Sequence, residues 1–266
     1  MGLGDAGWGR EGPRGGGVRP LTERFAAAWA DALEGLDEDL LPSVLARVCA
    51  RVLPFDAAGI SVHGEPDSRF PLGASDDDAA AAERLQFTHG DGPCFLAVRE
   101  GRPVVTTQER WRERWPAMAE EHFARTSFHG GLSVPLRVGN VRFGVLDLYN
   151  RTSHPLDGTV VIDGQVVAAQ VTSVLLEHLR GADLEDLVGP RGPEVDAAWI
   201  ESPGALRRRQ VWIATGMVGL SLGLPSEDAL SILRAHSFAT SRNLDDLADD
   251  IVQRRFDVER LGAGTP

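Results

Sequence analysis

Lysine is absent from the 266 residues; all 27 basic side chains are arginine. Any phosphate contact this chain makes is therefore a guanidinium contact, planar and two-pronged. Cysteine is nearly absent too. Cys49 and Cys94 are too few for a disulfide framework, which fits a reducing cytoplasm. No apolar run approaches the roughly 18 residues of a membrane span. The first residues lack the charged-then-apolar order of a signal peptide, and Ala6 sits where a myristoylation signal has Ser or Thr. A cytoplasmic protein with no membrane partner is expected.

Metal and catalytic signatures are missing as well. The seven histidines are scattered: His122 and His129 are seven apart, and His89 precedes Cys94 by five. Neither spacing is a zinc pattern, so no metal and no cofactor is expected. Gly90-Asp91-Gly92 lacks the further glycine, basic residue and hydroxyl of a phosphate loop. Ser127 and Ser133 have no nucleophile-elbow context. Cys94 follows a glycine and a proline near an expected helix start, which favours a thiolate. No resolving cysteine is close to it, and a buried structural thiol is the commoner outcome. No residue is assigned a catalytic role, and the expectation is a protein that is not an enzyme.

What is present argues for two folded modules. A hydrophobic content of 42% supports real cores, and the length suits about two domains. The net charge is −12, but from Arg207 to the end eight arginines meet eight acidic residues, so the whole imbalance lies upstream. A neutral C-terminal module with arginines clustered at 207–209 and 254–255 is compatible with phosphate binding without demanding it.

Taken in order, residues 1–19 are Gly-rich and without periodicity, and read as a disordered tail. Apolar stripes predict helices over about 20–36 and 40–52. Short apolar runs at 57–63 and 69–74, split by Gly64-Glu65-Pro66-Asp67, predict strands. Helix returns over 79–87, and Pro93 opens a short helix to about Glu100. A brief strand at 103–106 and a helical stretch over 111–125, broken near Trp115-Pro116, follow. The strongest hairpin signal is 131–138 and 141–149 joined by Gly139-Asn140. A long apolar helix is expected from about Gln165 to Arg180. Its stripe of Val167, Val171, Val174, Leu175 and Leu179, widened by Val166 and Leu176, is broad enough to pair with a second copy. Residues 181–204 read as a linker in which Trp199 and Ile200 offer an apolar grip. Three closely spaced helices are expected over 205–262. The first carries Ile213, Met217 and Leu220 on its apolar face, the second opens with Ser226 as cap, and the third with Asn243, ending in Arg254 and Arg255.

This order is α+β with an antiparallel sheet, not a βαβ alternation. Over 20–180 it resembles a GAF sensory domain. The residues that carry the likeness are Gly92-Pro93-Cys94-Phe95, Gly101-Arg102-Pro103-Val104, Arg114-Trp115-Pro116, Ser133-Val134-Pro135-Leu136 and Gly144-Val145-Leu146-Asp147-Leu148-Tyr149. The C-terminal stretch resembles the ANTAR domain, an all-α three-helix RNA-binding module of bacterial antitermination regulators. Its carriers are Ile213-Ala214-Thr215-Gly216-Met217-Val218, Ala229 to Ser237 with Leu233-Arg234, and Arg242-Asn243-Leu244-Asp245-Asp246-Leu247-Ala248. Thr215 stands where many members have lysine.

The resemblance implies RNA hairpin loops as partner and a homodimer that presents two modules to two loops. The GAF-like part would sense an unidentified signal, with a small-molecule ligand one option. The implied RNA-binding residues are Arg207, Arg208, Arg209, Thr215, Gly216, Arg234, Ser237, Arg242 and Asn243. Phe238 fits a base-stacking platform or a core position equally well. Three other readings stay open: a DNA-binding regulator, disfavoured by Asp245, Asp246, Asp249 and Asp250 on the would-be reading helix; a protein-interaction regulator; and an enzyme with an unrecognised GAF pocket.

Overall fold

The computed structural model describes residues 19–37, 40–63, 69–178 and 203–262. The Gly-rich tail, the 64–67 turn, Leu179, Arg180, and the linker with Trp199 and Ile200 lie outside the described residues.

Helices α1 (Leu21–Leu33) and α2 (Leu41–Val52) precede strands β1 (Ala57–His63) and β2 (Arg69–Ala74). Next come α3 (Asp77–His89), α4 (Pro93–Glu100), β3 (Val104–Thr106), α5 (Gln108–Arg114) and α6 (Pro116–Arg125). The hairpin β4 (Gly130–Val138) and β5 (Val141–Asn150) leads into α7 (Gly158–Glu177). The five strands form one antiparallel sheet in the order β2-β1-β5-β4-β3. The hairpin register pairs Val138 with Val141, and Gly139 supplies the positive φ of 57° that a two-residue turn needs. Trp115 cannot continue α5 because the residue before a proline is pushed out of the helical region; it sits at φ −133°, ψ 60°.

Strand alternation sorts the sheet into two unlike faces. Ala58, Ile60, Val62, Leu132, Val134, Leu136, Leu146 and Leu148 share one apolar core with α1, α2 and α7. The alternate residues, including Ser61, His63, Ser133, Asp147 and Tyr149, face α3 and α4 and are also buried.

The long helix begins at Gly158, seven residues earlier than its apolar stripe suggests, capped by the Asp157 carboxylate on the Val160 amide (2.9 Å). Gly158 and Gly164 hide the helix from a propensity argument, but Gly164 is there for packing: a Cβ would stand 2.7 Å from Leu132 Cδ2. By length and composition alone α7 is apolar enough to cross a membrane. Its Val167, Ala168, Val171, Val174 and Leu175 are instead buried on the sheet, so the stripe offered above for a second copy is largely consumed within one chain.

The C-terminal helices are α8 (Pro203–Leu222), α9 (Ser226–Ala239), α10 (Leu244–Val252) and the short α11 (Glu259–Gly262). Val211, Ala214, Val218, Ala229, Leu230, Leu233, Leu244, Leu247, Ala248 and Ile251 form their shared apolar cluster. Four expectations change here. The buried face of α8 is Val211, Ala214, Thr215 and Val218, while Ile213 is 42% and Leu220 89% exposed. At Gly219 the small residue serves the turn that closes the helix: a Cβ there would lie 3.0 Å from the Leu224 carbonyl oxygen, and the Leu224 amide donates back to the Gly219 carbonyl at 2.9 Å. The helix starts at Pro203, a good first-turn residue, inside the stretch expected to be linker. Ser226 is the first helical residue of α9, and Pro225 occupies the cap position without a side-chain bond. Helix α10 ends at Val252, so Arg254 lies beyond it in the left-handed region at φ 57°. Asn243 caps α10 as expected, accepting from the Asp245 amide at 2.8 Å.

Candidate functional site

The polar face of the sheet holds a closed ionic cluster built by β2, α3 and β5. Arg69, Glu83 and Asp147 have side chains that are 0%, 2% and 1% exposed. The Arg69 guanidinium pairs with the Glu83 carboxylate, donates to the Glu83 carbonyl oxygen (2.7 Å) and to Ser61 Oγ (3.2 Å), and stands 3.6 Å from Asp147 Oδ2. The Tyr149 hydroxyl donates to Glu83 Oε1 at 2.5 Å and accepts from Gln86 Nε2 at 3.2 Å. Gln86 Oε1 in turn accepts from the Cys94 amide at 2.9 Å. Ser133 donates to Asp147.

The electrostatics are those of two carboxylates sharing one cation. Burial first, and then the Glu83 carboxylate, push Asp147 well above the usual carboxylate range; Arg69 and the Ser133 hydroxyl oppose this. Burial works against the Arg69 charge, yet the Glu83 carboxylate paired with it holds that guanidinium protonated. Burial likewise raises the Cys94 and Tyr149 protons and depresses His63. Cys94 is fully buried, so no thiolate forms near neutral pH, and a nucleophilic or redox role has no support. This cluster escapes the sequence reading. Its one visible signal is Asp147, a lone charge inside the apolar run Gly144–Tyr149.

His122 gives the module a pH dependence. Its ring stacks on Trp111 (centroids 4.4 Å apart), and burial pushes its pKa from 6.5 down to about 4. The folded state thus resists a proton that the unfolded state takes up, so stability is full above pH 6.5 and falls as the pH drops toward 4. The expected loss is up to about 3 kcal/mol. Urea midpoints at pH 7 and pH 4.5 check it, and His122→Gln is expected to flatten the slope.

The implied RNA-binding residues separate into three groups. Arg207, Arg209 and Gly216 are exposed on α8; the side chain of Arg208 lies outside those described. Arg234, Arg242 and Asn243 are half-buried along clefts toward α3 and α6. Arg242 is paired with Asp250 and also donates to the Asp246 carbonyl, and Asn243 is engaged as a cap. Thr215 and Ser237 are each 1% exposed. Their hydroxyls donate to the Val211 and Arg242 carbonyls, so they are withdrawn as contacts: on small-residue helix faces these hydroxyls satisfy backbone instead of a ligand. Phe238 is 61% exposed and so is not a core residue.

Among solved structures the chain is similar to several, all at low identity. The GAF domain of an Acinetobacter phosphoenolpyruvate-protein phosphotransferase is 13% identical and covers 61% of this chain and 96% of its own, with a TM-score of 0.44. That of the Coxiella burnetii phosphoenolpyruvate-protein phosphotransferase is 10% identical, covering 59% and 93%, with a TM-score of 0.44. Free methionine-R-sulfoxide reductase from Neisseria meningitidis is 17% identical, covering 57% and 86%, with a TM-score of 0.41. No curated protein matches the chain. The GAF domain family model matches residues 38–175, just over half of the chain, and this protein belongs to that family.

Proposed function

We propose that this protein is a cytoplasmic signal-responsive regulator that binds structured RNA, hairpin loops above all, through α8–α10 and so controls transcription antitermination. The GAF module senses the signal, and the action is binding rather than catalysis. The ANTAR resemblance supports this, and one structural observation carries it: Arg207 and Arg209 stand exposed on a helix of a module with its own apolar cluster. Guanidinium groups so presented match phosphate geometry. With Thr215 and Ser237 internal, the contact set narrows to Arg207, Arg208, Arg209, Gly216, Arg234, Arg242 and Asn243. Phe238 is added as an exposed ring for a splayed base.

Dimerisation belongs to this proposal, but by a different helix from α7. Leu206, Ile213 and Leu220 recur every seven residues along α8 and are 41%, 42% and 89% exposed, a spacing that suits pairing with a second α8.

Filter binding to a paired-hairpin RNA across a salt series tests the RNA function. Arg207→Ala/Arg209→Ala is expected to weaken binding by roughly tenfold and to reduce the salt slope by about two. Absence of RNA binding, salt-insensitive binding, or equal preference for duplex DNA of the same length would sink it.

A further inference from the structure

We infer that the GAF module masks the RNA-binding face of its own chain, so that RNA binds only after the two modules part. This rests on the RNA-binding function proposed above and adds how it is regulated.

The masking contact is built from both modules. Trp212 of α8 is stacked on Phe70 of β2 with ring centroids 5.8 Å apart, and meets the edge of Phe87 of α3 at 6.4 Å. Phe87 itself is fully buried among the C-terminal helices' apolar residues. Across its ring lies the Arg234 guanidinium, 5.1 Å from the centroid. Gly90 makes room for that guanidinium: a Cβ there would stand 2.6 Å from one of its nitrogens. His89 meets Phe238 edge-on at 6.0 Å.

Five of the proposed RNA contacts, Arg207, Arg234, Phe238, Arg242 and Asn243, line grooves whose far walls belong to the GAF module, and those walls carry carboxylates beside arginines. Arg234, Phe238 and Arg242 border a cleft of about 630 Å³ opposite Glu120, Glu121 and Arg125 of α6. Arg125 pairs with Glu121 at 3.0 Å and leaves Glu120 as the carboxylate facing the cleft without an ion pair among the described residues. Arg207 borders one of about 400 Å³ opposite Asp76 and Asp77 at the start of α3, with Arg47 and Arg84 on the same wall. Carboxylates thus stand where RNA phosphates would approach, and the module that supplies them, residues 20–180, carries 23 acidic side chains against 15 arginines. RNA and these carboxylates compete for the same arginines.

Helix α3 links this contact to the sensor interior. Its Glu83 and Gln86 sit in the buried ionic cluster, while Phe87, His89 and the following Gly90 hold the C-terminal helices. A change in that cluster that shifts α3 moves the sites that clasp Trp212 and Arg234. The signal then acts by changing the closed fraction, not by altering the RNA contacts.

The full chain carrying His89→Cys and Phe238→Cys, treated with a short bis-maleimide, tests this. Cys49 and Cys94 are buried and leave the new pair to react. The linked protein is expected to bind hairpin RNA at least roughly tenfold more weakly than the same protein unlinked. Equal binding before and after linking overturns the inference. In parallel, Trp212→Ala is followed by amide hydrogen exchange at β2 and α3, expected to rise, and by RNA affinity, also expected to rise. Faster exchange with unchanged affinity overturns masking while RNA binding stands. Faster exchange with no RNA binding in any form overturns the RNA function, and the inference falls with it. The surface pair Asp77→Asn/Glu120→Gln, chosen to spare the fold, is expected to tighten RNA binding; no change excludes these carboxylates as competitors.

Discussion

Arg69→Met is expected to lower the unfolding free energy by about 3–5 kcal/mol at pH 7, because it leaves the buried Glu83 carboxylate without its cation, beside an Asp147 that burial already pushes toward its protonated form. The volume is nearly kept, so a cavity contributes little, and the loss is electrostatic. Glu83 loses its ion pair, Asp147 loses the 3.6 Å contact that offsets its burial, and the Tyr149 hydroxyl faces a destabilised acceptor. The variant relieves this by taking up protons, and the sign follows. A carboxyl whose folded pKa lies above its unfolded value stabilises the fold below the unfolded pKa and loses that contribution as pH rises through the folded one. Arg69→Met should therefore recover stability on going from pH 7 to pH 5, opposite to the trend that His122 sets in the parent. Adding Glu83→Gln and Asp147→Asn should restore much of the deficit at pH 7, since the neutral set carries no buried charge. Urea titrations at both pH values give the answer. A variant within about 0.5 kcal/mol of the parent would mean that the cluster is hydrated rather than buried.

That cluster marks the boundary of what the sequence discloses. Local chemistry is legible: the Gly139 turn, the Trp115-Pro116 break and the Asn243 cap each depend on a few adjacent residues, and each is found where expected. The sheet is legible because the 131–149 runs are long, apolar and joined by a two-residue turn. The ionic cluster is not, because Arg69, Glu83 and Asp147 come from three separate elements and only tertiary folding brings them to one face of the sheet. The GAF resemblance points to the right module without giving the charges inside it.

The buried side of α8 fails for a different reason. The helix is apolar nearly all round, so periodicity selects the largest side chains, Ile213 and Leu220. Burial against the neighbouring helices instead takes the smaller Val211, Ala214, Thr215 and Val218. The same reversal withdraws Thr215 from the RNA contacts and leaves a seven-residue apolar spacing on the outside. A misassigned core face thus becomes the surface on which the dimer proposal now rests.

Leu220→Glu should accordingly cost the protein its tight grip on paired hairpins and little else. At 89% exposure the leucine adds almost nothing to the folded monomer, so the substitution leaves thermal stability nearly unchanged. In a dimer the glutamates of two copies would meet across the α8 seam, with repulsion and desolvation together opposing association. Each C-terminal module is neutral overall, so a single copy has modest electrostatic affinity for RNA. Joining two modules makes the second contact intramolecular and raises affinity by about 10²–10⁴-fold without any new bond. Sedimentation should show Leu220→Glu as a monomer, its affinity for a two-hairpin RNA should fall by that factor, and its affinity for one hairpin should stay as in the parent. Loss on both RNAs alike would mean that Leu220 touches RNA directly. A monomer that keeps full two-hairpin affinity would remove the dimer from the mechanism and leave the arginines of a single module to account for all of the binding.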